Sequence, residues 1–197
     1  MARVDGTDLL AELGRAPWRF LSLSRMLGTT AARLHDVEAP PTLPALRAVV
    51  RERIRAAASL GAAGRAMALD RLDALPDGDR LCHGDYHPAN LLLGSTGPVL
   101  VDWTNASRGD PMADLARTRV LLRVAAGPTG GGAWIGAVER FGRGLLWRRL
   151  LTAYRRVRPV DAALLARWEL VRVAERLRDG LEDEYPALLA ILRQAEG

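Results

Sequence analysis

The sequence contains no lysine, a single cysteine and no long apolar segment, and each absence limits what the protein can be. One cysteine excludes an internal disulfide and is typical of a reducing compartment, so we expect a cytoplasmic protein with Cys82 buried and inert. Every apolar run is shorter than the roughly 18 residues that a membrane span needs. The start, MARVDGTDLL, lacks the basic and then apolar layout of a signal peptide. No membrane partner is expected.

The basic residues are all arginine, and they give a formal net charge of +5 and an isoelectric point near 10.5. Such a charge raises nucleic acid as a partner. The arginines fall between apolar residues at helical spacing, however, which is typical of solvated helix faces. Because the segment with the densest stripe also has an ordinary apolar face, nucleic acid is the weaker hypothesis. That stripe contains Arg140, Arg143, Arg148, Arg149, Arg155, Arg156 and Arg158.

The hydrophobic pattern predicts one mostly helical domain. With 197 residues and 49% hydrophobic content, the chain can bury one sizeable core. Apolar residues recur at helical spacing over most of residues 7–79, and again near 133–157, 160–179 and 184–195. The strands expected between these regions are short, and they cover residues 80–82, 91–93 and 99–102, with a hairpin turn at 94–98. The predicted fold class is mostly α with a small β insertion, or α+β.

Several local features follow from capping and turn chemistry. Thr7 is a candidate cap for the first helix, and Asp110 followed by Pro111 should start the helix after the strands. Residues 43–75 predict two helices with a break near Gly61 and Gly64. His35 is expected to cap the end of a helix rather than to take part in catalysis. The arginines of the first helix of this pair are expected to face solvent: Arg47, Arg51, Arg53 and Arg55.

The most informative stretch covers residues 81–114, LCHGDYHPANLLLGSTGPVLVDWTNASRGDPMAD. Asp85 and Asn90 lie on a loop that contains Pro88, which excludes a regular helix there. Asp102 closes the second strand of the predicted hairpin. Carboxylate and amide oxygens that meet across a hairpin make a site suited to Mg²⁺. Asp85 would then be free to orient or deprotonate a hydroxyl, so these parts suit metal-assisted phosphoryl transfer.

Three segments of this stretch resemble motifs of the aminoglycoside phosphotransferase and choline kinase family, a branch of the protein-kinase-like fold. Residues 83–90, HGDYHPAN, resemble the catalytic loop of that family. Residues 101–103, VDW, resemble its metal-binding segment, and residues 109–116, GDPMADLA, resemble the helix start that follows. The resemblance implies the C-terminal lobe of that fold and transfer of the γ-phosphate of ATP to a small-molecule hydroxyl.

The resemblance also implies a role for each central polar residue. Asp85 occupies the position of the catalytic base, where it would hold the acceptor hydroxyl in line with the γ-phosphate. Asn90 and Asp102 occupy the positions of the Mg²⁺ ligands. The implied cofactors are therefore Mg²⁺ and ATP.

Other residues are expected to support this site. His83 and His87 should brace the loop, and Asp114 should accept hydrogen bonds from backbone N–H groups of the loop. Arg3 and Val4 would lie in the hinge that binds adenine through backbone groups. A cluster near the C-terminus lies where the family holds its acceptors, although a charge run is usually a solvated face. That cluster contains Asp179, Glu182, Asp183 and Glu184.

The nucleotide-binding lobe of the family, a β-sheet with a phosphate-covering loop and a lysine, has no counterpart before residue 81. The single domain 1–197 should therefore comprise a hinge-like lead-in (1–6), a helical part (7–79), the catalytic segment (80–114) and a helical acceptor-binding part (115–197). Three origins would explain a catalytic lobe without its nucleotide lobe: a truncated gene product, a start codon assigned too far downstream, or a deliberate short form. We expect low kinase activity from this chain alone, and self-association through the uncovered cleft.

A second hypothesis is a non-catalytic pseudokinase that binds a partner protein through the uncovered cleft. The presence of every catalytic residue in this lobe argues against long decay, whereas the absent nucleotide lobe argues for it. The motifs serve aminoglycoside, choline, homoserine and sugar kinases equally, so they do not identify the acceptor.

Overall fold

The computed structural model describes residues 5–124 and 133–194. These residues form helices and five short strands, so the α+β prediction is confirmed. The helices are α1 Leu9–Arg15, α2 Phe20–Leu34, α3 Leu46–Ala56, α4 Gly61–Asp73, α5 Pro111–Val124, α6 Ala133–Arg155, α7 Ala162–Arg176 and α8 Tyr185–Gln194. The strands are β1 Thr7–Asp8, β2 Arg80–Cys82, β3 Leu91–Gly94, β4 Gly97–Leu100 and β5 Ser107–Gly109. The described part of the chain contains no helix capable of spanning a bilayer.

The strands form two small antiparallel sheets that frame the predicted catalytic segment. One sheet has the order β1-β3-β4, and the other pairs β2 with β5. In the β3–β4 hairpin Leu91 pairs with Leu100 and Gly94 pairs with Gly97, so the turn is shorter than the predicted 94–98. The second strand therefore ends at Leu100, not at residue 102 as predicted. Asp102 is left outside the ladder, where its backbone is free to turn.

The start of the chain differs from the prediction in its capping residue. Thr7 pairs with Leu93 in β1 and does not cap α1. The N-cap is Asp8, whose carboxylate accepts the backbone N–H of Ala11 at 2.8 Å. The strand pairing takes Thr7 away from the helix, and no local sequence signal predicts that pairing. The cap predicted for α5 is confirmed, because the Asp110 carboxylate accepts the N–H of Met112 at 2.7 Å.

The break between α3 and α4 falls slightly earlier than predicted. A short 3-10 helix, Ala58–Leu60, separates them, and Gly61 starts α4 with a φ of +64°. Gly64 lies inside α4 and does not interrupt it.

Helix α5 lies at the centre of the molecule and connects the core to the catalytic segment. Most of its residues are buried, and it packs mainly against α7. Leu115 of α5 belongs to the main core with Leu27 of α2, Leu150 of α6 and Trp168 of α7. Its far end belongs to a smaller cluster between α5, α7 and α8, through Val120. Burial on both sides fixes α5, and therefore fixes the residues at its start.

Helices α2 and α6 cross in close contact at Gly28 of α2. A Cβ atom added at Gly28 would lie 2.2 Å from the carbonyl oxygen of Leu150 and 2.8 Å from the Cβ of Ala153. Displacing the backbone atoms of a packed helix costs considerable free energy, so only glycine fits at this position.

We predict that Gly28→Ala destabilises the fold by about 1–3 kcal/mol, because the added methyl overpacks the crossing. Gly142→Ala in α6 is the matched control, since nothing lies within 4 Å of its added Cβ. Alanine should stabilise that helix interior by about 0.5–1 kcal/mol. Urea unfolding measures both values, and equal midpoints for the two variants would contradict the close contact.

Candidate active site

The loop between β2 and β3 brings Asp85 and Asn90 together. A 3-10 turn, Pro88–Asn90, folds the loop back, and Pro88 at its first position needs no N–H partner. The Asn90 side-chain nitrogen donates to the Asp85 carbonyl at 3.0 Å and lies 3.5 Å from its carboxylate. The amide oxygen of Asn90 therefore points away from Asp85 and is available as a ligand atom.

The second strand of the hairpin brings Asp102 to the same place through its neighbour Val101. The N–H of Val101 donates to the Asn90 carbonyl at 3.1 Å. Its own carbonyl accepts the Nε2–H of His83 at 2.9 Å, which fixes the tautomer of that buried ring. Val101 is thus held from both sides by the loop between β2 and β3. Asp102, the next residue, must emerge beside Asn90.

Asp102 has the one left-handed backbone found at a residue other than glycine in the described part of the chain, with a φ of 60° and a ψ of 68°. This conformation is costly for a residue with a Cβ, and it persists only where surrounding contacts impose it. The Thr104 hydroxyl donates to one carboxylate oxygen of Asp102 at 2.7 Å. The side chain is exposed, so its other oxygen can meet a ligand.

Asp85 is half-buried beside His87, whose Nε2 lies 3.5 Å from its carboxylate. The hydrogen bond from His87 lowers the pKa of Asp85; partial burial opposes this, and the charges of His87, Arg117 and His83 lower the pKa further. The net direction is downward, so Asp85 is ionised at neutral pH. An ionised carboxylate accepts a hydrogen bond well and is a weak base, which suits orientation of a hydroxyl.

The buried carboxylate of Asp114 makes the contacts predicted from the sequence. It accepts the backbone N–H of His83 at 2.9 Å and that of Gly84 at 2.8 Å. Gly84 has a φ of +78°, and a Cβ there would lie 2.3 Å from the Asn105 carbonyl oxygen. The loop therefore turns sharply at Gly84 while Asp114 holds it to the start of α5.

His35 contributes more than the predicted helix cap. It follows α2 directly, but its ring is buried, with Nε2 3.1 Å from Asp114 and Nδ1 2.9 Å from the Tyr154 hydroxyl. Burial raises the pKa of Asp114, but the hydrogen bond and charge of His35 and the two loop N–H groups lower it more, to about 2. No local pattern in the sequence indicates this link between α2, α6 and the loop between β2 and β3.

Within the described ranges, a trio of His35, Cys82 and Asp114 places potential metal-ligand atoms within 4.8 Å of one another. All three are buried, and the oxygens of Asp114 already accept several hydrogen bonds. Burial, followed by the charge of Asp114, raises the pKa of the Cys82 thiol well above its usual range. The thiol is therefore protonated, as expected from an inert cysteine, and this trio belongs to the packing beneath the loop.

Arg53 corrects the prediction that the arginines of α3 face solvent. It donates to the buried carboxylate of Glu175 at 3.1 Å and is also bonded to the side chain of Asn105, a few residues after the β3–β4 hairpin. Arg172 donates to Glu175 from within α7 at 2.7 Å. Burial raises the pKa of Glu175, but the charges of Arg172 and Arg117 lower it by more. The net direction is downward, so the carboxylate is charged. The sequence could not predict this pairing, because its partners are 122 residues apart.

Arg117 is a second residue that the sequence analysis missed. Its guanidinium is buried, lies 3.5 Å from Asp179, and contributes to the low pKa of Asp85. Burial lowers its own pKa. Its position three residues after Asp114 in one helix was the available signal, since residues at that spacing share a helix face.

The C-terminal carboxylates are largely engaged by arginine. Arg176 forms a bidentate pair with the buried Glu184 at 2.7 Å, and also donates to Asp179 at 2.8 Å. Asp183 is exposed. The side chain of Glu182 and the hinge positions Arg3 and Val4 lie outside the described residues. Pairing with Arg176 leaves Asp179 and Glu184 with less charge to offer a cationic acceptor.

The donor set fits a divalent cation. Asn90 and Asp102 present hard oxygen atoms, which Mg²⁺ prefers. Asn90 directly precedes β3, Asp102 follows the end of β4, and the Val101 contact joins the two segments. Mg²⁺ usually keeps several waters and takes only one or two protein ligands beside substrate phosphates. Two protein oxygens at a solvent-accessible position match that usual coordination of Mg²⁺.

A family model and several solved structures match the chain. The family model described as "Phosphotransferase enzyme family" matches residues 1–160. No curated protein sequence matches the chain.

Several solved structures share the fold at low sequence identity. A glucosamine kinase in complex with glucosamine, ADP and inorganic phosphate is 20% identical, with a TM-score of 0.59, and the match covers 98% of this chain and 57% of that one. An amicoumacin kinase in complex with AMP-PNP, Ca²⁺ and Ami is 15% identical, with a TM-score of 0.64, and the match covers 98% of this chain and 62% of that one. A choline kinase from Cryptosporidium parvum Iowa II is 11% identical, with a TM-score of 0.58, and the match covers 98% of this chain and 69% of that one. The chain spans less than two thirds of the length of the first two.

We predict that Asp114→Asn destabilises the fold by about 3 kcal/mol at pH 7, because the amide replaces a buried charge that three donors satisfy. The pKa of Asp114 is lowered from 3.8 to about 2, so its stabilising effect is complete above pH 3.8 and is lost as the pH falls towards 2. The stability gap between wild type and variant should therefore narrow over that range in urea unfolding. Asp70→Asn, an exposed change on α4, should show almost no gap at any pH. A gap that stays constant from pH 5 to pH 2 would contradict the assignment.

Proposed function

This chain belongs to the phosphotransferase enzyme family, and on that premise we propose that it takes part in transfer of the γ-phosphate of ATP to a hydroxyl group of a small molecule. The observation that carries the proposal is the double attachment of Val101 to the Asn90 carbonyl and the His83 ring. That attachment brings a carboxylate, Asp102, to the loop that holds Asp85 and Asn90. Phosphoryl transfer depends mostly on positioning and charge neutralisation, and this arrangement supplies both.

Asn90 and Asp102 would hold Mg²⁺ between their oxygen atoms. When bound, the cation would neutralise charge on the phosphates of ATP. The complexes of related kinases with ADP and with AMP-PNP and Ca²⁺ support a nucleotide and a divalent cation as ligands. The backbone of Asp102 is left-handed and its side chain is exposed, so the carboxylate is accessible to a cation.

Asp85 would accept a hydrogen bond from the acceptor hydroxyl and orient its oxygen for attack. Its low pKa keeps it ionised, and the contact with His87 holds its carboxylate in place. His83 and Asp114 would act through the loop backbone, since their contacts are with Val101 and with the N–H groups of residues 83 and 84. They are positioning residues in this proposal.

The acceptor belongs to the class of small hydroxyl compounds. Related kinases are described with glucosamine, choline and amicoumacin. The binding role of Asp179, Glu182, Asp183 and Glu184 stays a prediction, as do the hinge role of Arg3 and Val4 and self-association of the chain.

We expect the 197 residues alone to turn ATP over at least about a hundredfold below the 1–100 s⁻¹ of typical kinases, because the chain has no lysine to grip the phosphates. Asp85→Asn should lower the residual turnover by a further factor of about 10² or more. Phosphorus NMR with a panel of amino sugars and amino alcohols measures both rates. Turnover at ordinary kinase rates would overturn the first expectation, and equal turnover in wild type and Asp85→Asn would overturn the second.

Asp102→Asn should abolish Mg²⁺-dependent binding of ADP, because the variant loses the only charged ligand of the proposed metal pair. Calorimetric titration with and without Mg²⁺ measures this effect, and Asp70→Asn serves as the control for loss of one exposed carboxylate. Binding that needs Mg²⁺ but persists unchanged in Asp102→Asn would place the cation elsewhere.

A further inference from the structure

A groove with a volume of about 490 Å³ lies between α5, α6 and α8, and its lining is strongly basic. Arg119 and Arg123 of α5 face Arg143 and Arg148 of α6, with Trp147 between them. Helix α8 supplies small and apolar side chains to the opposite wall. No acidic side chain lines the groove in the described part of the chain.

The charge in this groove is only partly balanced. Arg119 and Arg123 both bind the carboxylate of Glu169 in α7, at 2.7 and 2.8 Å. Arg148 is exposed and forms no ion pair with a carboxylate of the described residues. Even without Arg143, the one carboxylate of Glu169 therefore balances the charges of three guanidiniums, those of Arg119, Arg123 and Arg148. Like charges that line one groove repel one another, and a bound anion would relieve that repulsion.

Trp147 gives the groove a flat apolar surface beside these cations. Its half-buried ring lies 5.7 Å from the guanidinium carbon of Arg119, which stacks over it. A guanidinium held in place by a ring and a carboxylate loses little freedom when it binds a ligand. The volume falls within the range of about 300–1,000 Å³ that is usual for small-molecule sites.

We propose that this groove binds a small organic anion with two or more carboxylate or phosphate groups. The planar fork of arginine matches both groups through paired N–H donors. Arg119 and Arg123 present their guanidiniums from α5. Arg148 presents from α6 a guanidinium that pairs with no carboxylate of the described residues. The site goes beyond the proposed phosphoryl transfer, because its residues are distinct from Asn90 and Asp102, which would bind Mg²⁺, and from Asp85, which would orient the acceptor hydroxyl.

The test is calorimetric titration of tricarballylate and of inorganic pyrophosphate into the full chain, in EDTA so that no divalent cation contributes. At least one anion should bind saturably at low salt, and 0.15 M NaCl should weaken that binding. The cation spermidine should not bind in the groove. Binding of tricarballylate alone would assign the groove to carboxylates, and binding of pyrophosphate alone would assign it to phosphates.

The variants separate a built site from general attraction to a basic protein. Arg148→Gln should weaken anion binding about tenfold, because it removes one charge-assisted fork. Arg149→Gln is the matched control, since Arg149 is exposed on the same helix and does not line the groove. Circular dichroism checks that both variants fold. Absence of saturable anion binding in wild type, or an equal loss in Arg148→Gln and Arg149→Gln, would overturn the proposal.

Discussion

The catalytic segment depends on one buried anion, the carboxylate of Asp114. A charge without solvent is costly unless hydrogen bonds satisfy it, and here two loop N–H groups and the His35 ring do so. The requirement acts in both directions: the carboxylate needs those donors, and the loop backbone must therefore lie where they can reach it. Because α5 is packed between the main core and the smaller cluster, the position of the loop is set by the core of the whole domain.

From the loop outwards, each contact fixes the next one. His83 donates its backbone N–H to Asp114 and its ring N–H to the carbonyl of Val101. Val101 in turn donates to Asn90, so the hairpin cannot move without the loop. The geometry of Asp85, Asn90 and Asp102 is thus maintained mainly by hydrogen bonds to the backbone, together with the contact of the Asn90 amide with Asp85. Such rigidity suits a reaction in which positioning supplies most of the rate.

The sequence was most informative where function restricts residue type over a short span. The motifs at 83–90 and 101–103 indicated the loop and the hairpin beside it, and the joint role of Asp85, Asn90 and Asp102 stays a prediction. Local patterns also predicted the helices, because amphipathic spacing and caps such as Asp110 act within a few residues. Predictions failed where a distant partner decides the outcome. Thr7 joins a strand formed 86 residues later, and Arg53 turns inwards to meet Glu175 across the fold. His35 looked like a simple cap, since nothing near it in sequence indicates Asp114 or Tyr154.

The central claim is that Asn90 and Asp102 hold one divalent cation at this loop. The most direct test replaces Mg²⁺ with paramagnetic Mn²⁺ in the presence of ADP and follows the amide signals of the ¹⁵N-labelled chain. We expect selective broadening at Asn90, Val101 and Asp102, because broadening falls steeply with distance from the ion. Broadening centred on the acidic residues near 179–184, with sharp signals at the hairpin, would contradict it.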